Sequence, residues 1–171
     1  MAALAAELAN FENARTQFVD AMNTAPNEAL AYLRPGDDYA LGGLVTHVNA
    51  VLRRYGRVLS GILANPAAEL DARPIDQDMS SENAQALDGL TELGRPAAMA
   101  ALAELHQQGA AALATVGEDA WDRKTPVIYR GSAQPYLTSA ADIKKWLADH
   151  YLEHVPHVAE LLAAWRAAHA G

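Results

Sequence analysis

Four long segments of the chain repeat apolar residues at steps of three, four and seven, which is the period of one face of an α-helix. These segments are residues 2–24, 41–64, 95–116 and 139–169. No segment shows a convincing strand pattern; Val127-Ile128-Tyr129-Arg130 is extended in character, but four residues make no sheet. The pattern therefore predicts an all-α fold, a four-helix bundle.

The two longest connections, residues 65–93 and 117–138, are rich in Pro, Asp, Ser and Gly and follow the second and third helices. A short helix is expected after Ser81 in the first of them. Because both connections are long, helices that are neighbours in sequence need not run antiparallel. A chain of 171 residues suits one sizeable core, so residues 1–171 are expected to form a single domain.

Composition excludes several classes of function. The chain has 51% apolar and 20% charged residues, which is typical of a globular protein, and a net charge of -8, which disfavours nucleic acid as a partner. It has no cysteine, so disulfides, thiolate zinc sites and a cysteine nucleophile are excluded. No apolar run approaches the roughly 20 residues that span a bilayer, and the acidic N-terminus does not resemble a signal peptide. A cytoplasmic protein is expected.

The last helix carries the most unusual pattern. Its predicted inward residues are Ile143, Leu147, Val158, Leu161 and Trp165. His150 and His154 fill the gap in this series, where leucines would be expected. Burying such rings costs a few kcal/mol each unless they are hydrogen-bonded or bound to a metal. Two imidazoles at i and i+4 can both reach one metal ion, so the pair predicts a metal site.

The third ligand is left open by periodicity. His47 lies on the flank of the second helix's apolar stripe, and His106 faces inward on the third helix. His157 lies on the last helix's stripe, somewhat to one side, while His169 is expected to be exposed. Pro156 bends the helix either to re-aim the histidines or merely to wrap it around the core.

Two groups of arginines complete the pattern. Arg15 falls on the apolar stripe of the first helix, either as a stem packed at the edge of the core or as an anion clamp in the site. Arg53, Arg54 and Arg57 point away from the second helix's stripe, which predicts a solvated face.

Ser80-Ser81 and Thr138-Ser139 are expected to be helix caps, because Ser and Thr side chains accept hydrogen bonds from the free N–H groups at the start of a helix.

A histidine early in the second helix, followed by His-x-x-x-His on the fourth, resembles the DinB-like superfamily. The matching stretches are LVTHVNA, residues 44–50, and ADIKKWLADHYLEHVPHVAELLAAW, residues 141–165. This superfamily includes DinB and YfiT-like proteins, bacillithiol transferases and mycothiol-dependent maleylpyruvate isomerases. The resemblance covers nearly the whole chain in helix order, and it implies the family's four-helix fold.

The resemblance implies a three-histidine site at His47, His150 and His154 that holds a divalent ion, with zinc and nickel as the first candidates. His157 stands where many members have a glutamine. The implied chemistry is activation of a low-molecular-weight thiol cosubstrate for transfer to a small molecule, with hydrolysis as another metal-dependent reaction. His157, His106, Tyr55 and Arg15 are candidate substrate contacts, and the homodimer common in the family is a further expectation. The alternative is a stress-response bundle that binds a metal or small ligand without turnover.

Overall fold

The computed structural model describes residues 2–77 and 79–170, and this part of the chain is mainly helical, which confirms the predicted class. The four long helices are α1 (Ala2–Asn23), α2 (Gly43–Ala64), α5 (Gly94–Ala114) and α7 (Ala140–Ala168). Three short helices, α3 (Arg73–Gln77), α4 (Met79–Asp88) and α6 (Glu118–Trp121), lie in the connections, and a 3-10 turn spans Asn27–Ala29.

The long helices pack around a shared apolar core. α7 packs along α1 and α2, and α5 packs against α2 and α1. Phe11 and Phe18 of α1 and Leu44 of α2 are fully buried in this core, and so are Leu113 of α5 and Ile143 of α7. All four predicted helices are therefore present, with ends that differ from the predicted ones by about two residues.

α7 begins where its sequence favours a helix start. The Ser139 side chain accepts from the Asp142 N–H, and the Asp142 carboxylate accepts from the Ser139 N–H, which forms a capping box. The predicted cap at Ser139 is thus confirmed. The helix then continues for 29 residues through Pro156 without a break, and it presents His150 and His154 toward α2.

The prediction that the chain has no sheet is wrong. Strands β1 (Leu70–Asp71), β2 (Thr125–Ile128) and β3 (Tyr136–Thr138) form a three-stranded sheet in that order. β1 pairs parallel to β2, and β2 pairs antiparallel to β3. These strands are too short to show periodicity, and β1 comes from the distant first connection. Only tertiary pairing of the two connections creates the sheet, and burial of Val127 anchors it to the core.

The predicted solvated face of α2 is also wrong in part. α4 packs against α2, and Arg53 forms an ion pair with Glu82 of α4. The close approach is visible at Gly43, where an added Cβ would lie 1.7 Å from the Ala86 carbonyl oxygen. Ser81 lies inside α4, so it is not the predicted cap. The helix expected after Ser81 exists, but it begins earlier, at Met79.

None of the helices in the described part of the chain combines the length and the apolar character that crossing a bilayer requires.

Candidate metal centre

Three histidines from two helices meet at the interface between α2 and α7. His150 and His154 lie one turn apart on α7, with ring centroids 4.5 Å apart. His47, in the first turns of α2, faces both of them at centroid distances of 4.9 Å and 5.3 Å. Each residue offers one ring nitrogen, and these nitrogens all lie within 4.8 Å of one another. The structure thus brings together the three residues that the sequence pattern and the resemblance selected.

Several ring nitrogens on the α7 side of this cluster are buried and find no hydrogen-bond partner in the part of the chain that the structure describes. Nε2 of His150 and both ring nitrogens of His154 have no hydrogen-bond partner among the described residues. His154 is 5% exposed and His47 is 7% exposed, while the His150 side chain is 19% exposed. Buried polar atoms are normally hydrogen-bonded, so a group of unpartnered nitrogens at one point calls for a ligand.

The electrostatics of the cluster favour neutral rings. Burial, with a further contribution from His47, lowers the pKa of His150 to about 4. Burial lowers the pKa of His154 to about 3, and the neighbouring His150 and His47 act in the same direction. Neutral imidazole is the form that binds a metal, so both rings carry available lone pairs at neutral pH.

The donor set suits a divalent ion of the zinc type. A tetrahedral ion with nitrogen ligands at about 2.1 Å needs those nitrogens about 3.4 Å apart, and the three nitrogens here lie within 4.8 Å of one another. Three protein nitrogens leave one coordination position for water or substrate, the pattern of catalytic rather than structural zinc. Neutral imidazole also suits nickel and copper, so the donor set alone does not select the metal.

Tyr39 is a contributor that the sequence interpretation missed. Its ring stacks on His47 at 4.2 Å between centroids and 25° between planes, and it meets His154 edge-on at 6.2 Å. Burial and the nearby Asp38 raise the pKa of its hydroxyl, so the ring stays neutral. Tyr39 lies in the irregular segment before α2, where no periodicity marks a buried residue. In the sequence, its closeness to His47, eight residues further on, is the feature that could have pointed to a contact with that ring.

A cleft of about 410 Å³ opens beside the cluster. One wall comes from α2 and consists of His47, Val51, Arg54 and Tyr55. The other wall comes from α7 and consists of Trp146, Asp149, His150 and Glu153. His47 and His150 therefore lie at the boundary between the buried cluster and solvent, and a small molecule in the cleft can reach them.

His106, the rival third ligand, lies elsewhere. Its Nδ1 is 3.3 Å from the Tyr151 hydroxyl, and its Nε2 is 2.9 Å from a carboxylate oxygen of Glu12, without the alignment of a regular hydrogen bond. Arg15 pairs with the same Glu12. The two candidate substrate contacts His106 and Arg15 thus belong to a separate cluster between α1, α5 and α7. Neither is among the described residues that line the cleft.

The remaining candidates lie near the cluster. His157 stacks on His154 with centroids 5.7 Å apart, but it is not part of the group that could hold an ion. Tyr55 lines the cleft, where it packs against Trp146 at 5.5 Å. Glu153 Oε2 is 3.8 Å from His150 Nδ1, close enough to orient that ring after a small movement. Whether any of them contacts substrate stays a prediction.

Comparison with known proteins adds no family: no protein-family model matches the chain, and no curated protein matches it. The membership suggested by LVTHVNA and the His-x-x-x-His helix therefore stays a prediction. The function has to be argued from the three histidines, their burial and the adjoining cleft.

Proposed function

We propose that this protein is a divalent-metal-dependent enzyme of the DinB-like four-helix type, which transfers a small thiol to an electrophilic small molecule. α1, α2, α5 and α7 would be the four helices of that bundle. His47, His150 and His154 would hold the ion. When bound there, a divalent ion supplies Lewis acidity that lowers the pKa of a coordinated thiol or water.

One observation carries the proposal: three histidine nitrogens converge within 4.8 Å, next to a cleft that a small molecule can enter. A structural ion would need four protein ligands, and the cluster of described residues that could hold an ion offers three. The His150 side chain is 19% exposed, which supports an ion site whose edge is open to solvent.

The protein's own residues have distinct roles in this proposal. His154 and His47 are nearly enclosed, so they would hold an ion away from bulk water. Tyr39 covers the outer face of His47 and restricts the rotation of its ring. Tyr55 and Trp146 provide the apolar surface on which the body of a substrate packs. Glu153 is placed to accept a hydrogen bond from the Nδ1–H of His150 after a small movement, which would fix that ring with Nε2 as the ligand atom.

Metal content is the first test. Protein purified without chelator should contain about one divalent ion per chain, measured by elemental analysis, and His154→Ala should contain almost none. His169→Ala is the matched control, because His169 lies at the end of α7 and is exposed. Wild-type protein that neither carries nor takes up an ion would exclude the proposed centre.

Turnover is the second test. Metal-loaded protein is mixed with a small thiol and an electrophile such as chlorodinitrobenzene, and formation of the thioether is followed by absorbance. The expected result is metal-dependent turnover that is lost in His154→Ala and retained in His169→Ala. Loaded protein that is inert toward a broad set of thiols and electrophiles would instead support a bundle that binds a metal or ligand without catalysis.

A further inference from the structure

Two openings of the protein surface lie near the three histidines. The cleft of about 410 Å³ between α2 and α7 has His47 in its wall, and Tyr39 is not among the residues that line it. A second opening of about 320 Å³, the α4 hollow, is lined by Asp38 and Tyr39 and by Ala84 and Leu87 of α4. None of the three histidines is among the described residues that line this hollow. The stacked rings of Tyr39 and His47 therefore separate the α4 hollow from the cleft.

We propose that Tyr39 closes the α4 hollow against the three-histidine centre and is thereby a specificity-determining residue for the reaction proposed above. Small molecules then reach the centre through the cleft, where they pass Tyr55 and Trp146, and not through the α4 hollow. The role in specificity rests on the proposed function, whereas the closure itself depends on no metal. Excluding water and competing molecules from a reactive centre prevents side reactions.

The Tyr39 ring covers two of the three histidines. Its centroid lies 4.2 Å from that of His47, with 25° between the planes, so one face of the phenol is occupied by this contact. It also meets the His154 ring edge-on, at 6.2 Å between centroids. His154 is 5% exposed, and its two ring nitrogens have no hydrogen-bond partner among the described residues. Because Tyr39 contacts these rings and also borders the α4 hollow, removal of the phenol would open His154 to that hollow.

The backbone holds the Tyr39 ring at this point without help from the hydroxyl group. The N–H of Ala40 donates to the carbonyl of Ala86 on α4 at 3.0 Å, and the N–H of Leu41 donates to the carbonyl of Tyr32 at 2.8 Å. The Tyr39 side chain itself forms no hydrogen bond with the described residues, so ring packing fixes its direction. A phenylalanine should therefore fill the same space, and an alanine should leave the backbone in place and the space empty.

Chemical labelling of histidines tests the closure directly. Diethyl pyrocarbonate transfers an ethoxycarbonyl group to any neutral imidazole nitrogen that it can reach, and peptide mass spectrometry gives the rate at each histidine. The full-length protein is labelled at neutral pH after treatment with chelator, so that no ion competes for the lone pairs. His169 is exposed and reports the activity of the reagent. His106 is buried in the separate cluster and reports any general loosening of the fold.

The expected result is a change at one buried ring only. Tyr39→Ala should speed the labelling of His154 at least about tenfold, since the wild-type ring reacts only when the structure opens locally. His106 and His169 should keep their wild-type rates in this variant. Tyr39→Phe retains the ring and should be labelled as wild type is. Tyr136→Ala is the matched control, because Tyr136 is an exposed tyrosine on β3 whose loss should leave His154 protected.

A second substitution identifies the route of the reagent. Leu87 lies in the wall of the α4 hollow and is 44% exposed, so a larger side chain can occupy the hollow without entering the core. Leu87→Trp in the Tyr39→Ala background should therefore reverse most of the increase in the labelling rate of His154.

Unchanged labelling of His154 in Tyr39→Ala, equal acceleration in Tyr39→Phe, or an equally large increase at His106 would each overturn the inference. Failure of Leu87→Trp to lower the rate in Tyr39→Ala would overturn it as well. The two proposals fail separately. If the protein binds no metal and turns over no thiol, the thiol-transfer function falls, and the labelling still decides whether Tyr39 closes the hollow. If turnover is metal-dependent but Tyr39→Ala leaves His154 protected, only the closure falls.

Discussion

The two faces of α7 show two ways of burying a histidine. On one face, Tyr151 meets His106, whose second nitrogen lies beside Glu12, so both nitrogens of that ring have a polar neighbour in the protein. On the other face, neither nitrogen of His154 has a hydrogen-bond partner within the described part of the chain, although the ring is about as deeply buried. The difference is informative because a buried polar ring without partners destabilises the fold. His106 has the environment of a structural residue, and His154 has that of a residue kept for a ligand.

The largest expected effect separates these two histidines by metal affinity. His154→Ala should weaken binding of zinc by more than about 100-fold, since loss of an outer-shell partner alone costs about 10- to 100-fold. His106→Gln should leave the affinity unchanged within about twofold, because His106 lies outside the cluster. Competition titration against a zinc chelator measures both. Equal losses of zinc affinity in the two variants would contradict the assignment of different roles to His154 and His106.

Acid sensitivity is the next expected effect. In the metal-free protein the pKa values of His150 and His154 are about 4 and about 3, against an ordinary value of 6.5. Between pH 6.5 and about 4 the unfolded chain therefore binds more protons than the folded one, so the free energy of unfolding falls as the pH falls. The slope contributed by two such histidines reaches at most about 2.7 kcal/mol per pH unit.

Urea unfolding at a series of pH values measures this slope. The variant His154→Leu removes one of the titrating rings and should show a shallower fall between pH 6.5 and 4 than wild type. His169→Ala, which changes an exposed ring, should follow the wild-type curve. A wild-type protein whose stability is independent of pH across this range would contradict the burial of neutral rings at the cluster.

In the metal-free protein, substitutions on the two faces of α7 should change the free energy of unfolding by smaller amounts and in opposite directions. His154→Leu should raise the free energy of unfolding of the metal-free protein by about 1–2 kcal/mol, since it replaces an unpartnered ring in an apolar stripe. Tyr151→Phe should lower it by about 1 kcal/mol, because His106 loses its hydroxyl partner. Urea unfolding in the presence of chelator measures both changes. Destabilisation by His154→Leu would indicate that packing of the ring outweighs its missing hydrogen bonds.

The smallest expected effect concerns the carboxylate beside each face. Glu153→Gln should weaken metal binding by only about threefold, below the usual outer-shell range, because its oxygen is 3.8 Å from His150 and the side chain is mostly exposed. Glu12→Gln should leave metal binding unchanged, since Glu12 contacts His106 and Arg15 instead. Isothermal titration with zinc compares the two. A loss of tenfold or more in Glu153→Gln would show that Glu153 orients His150 directly.

Prediction from the sequence succeeded where the signal is local and repeated. The period of 3.6 residues identifies the four long helices, and the phase of α7 places His150 and His154 on its buried stripe. Ser139 and Asp142 mark the start of that helix by their spacing alone. Each of these features depends on residues within a few turns of each other, so the chain itself contains the information.

Tertiary structure decided the rest, because the partners are far apart in the chain. Periodicity places both His47 and His106 near a buried stripe and does not choose between them. The resemblance implied His47, and the packing of α2 against α7 is what brings that ring to His154. The pairing of β1 with β2 and the packing of Tyr39 on His47 likewise join segments that carry no repeating pattern. By itself the sequence determined that α7 turns two histidines toward the core, one buried and one half-buried. The fold decided which residues surround each ring and left His154 without a hydrogen-bond partner among the described residues.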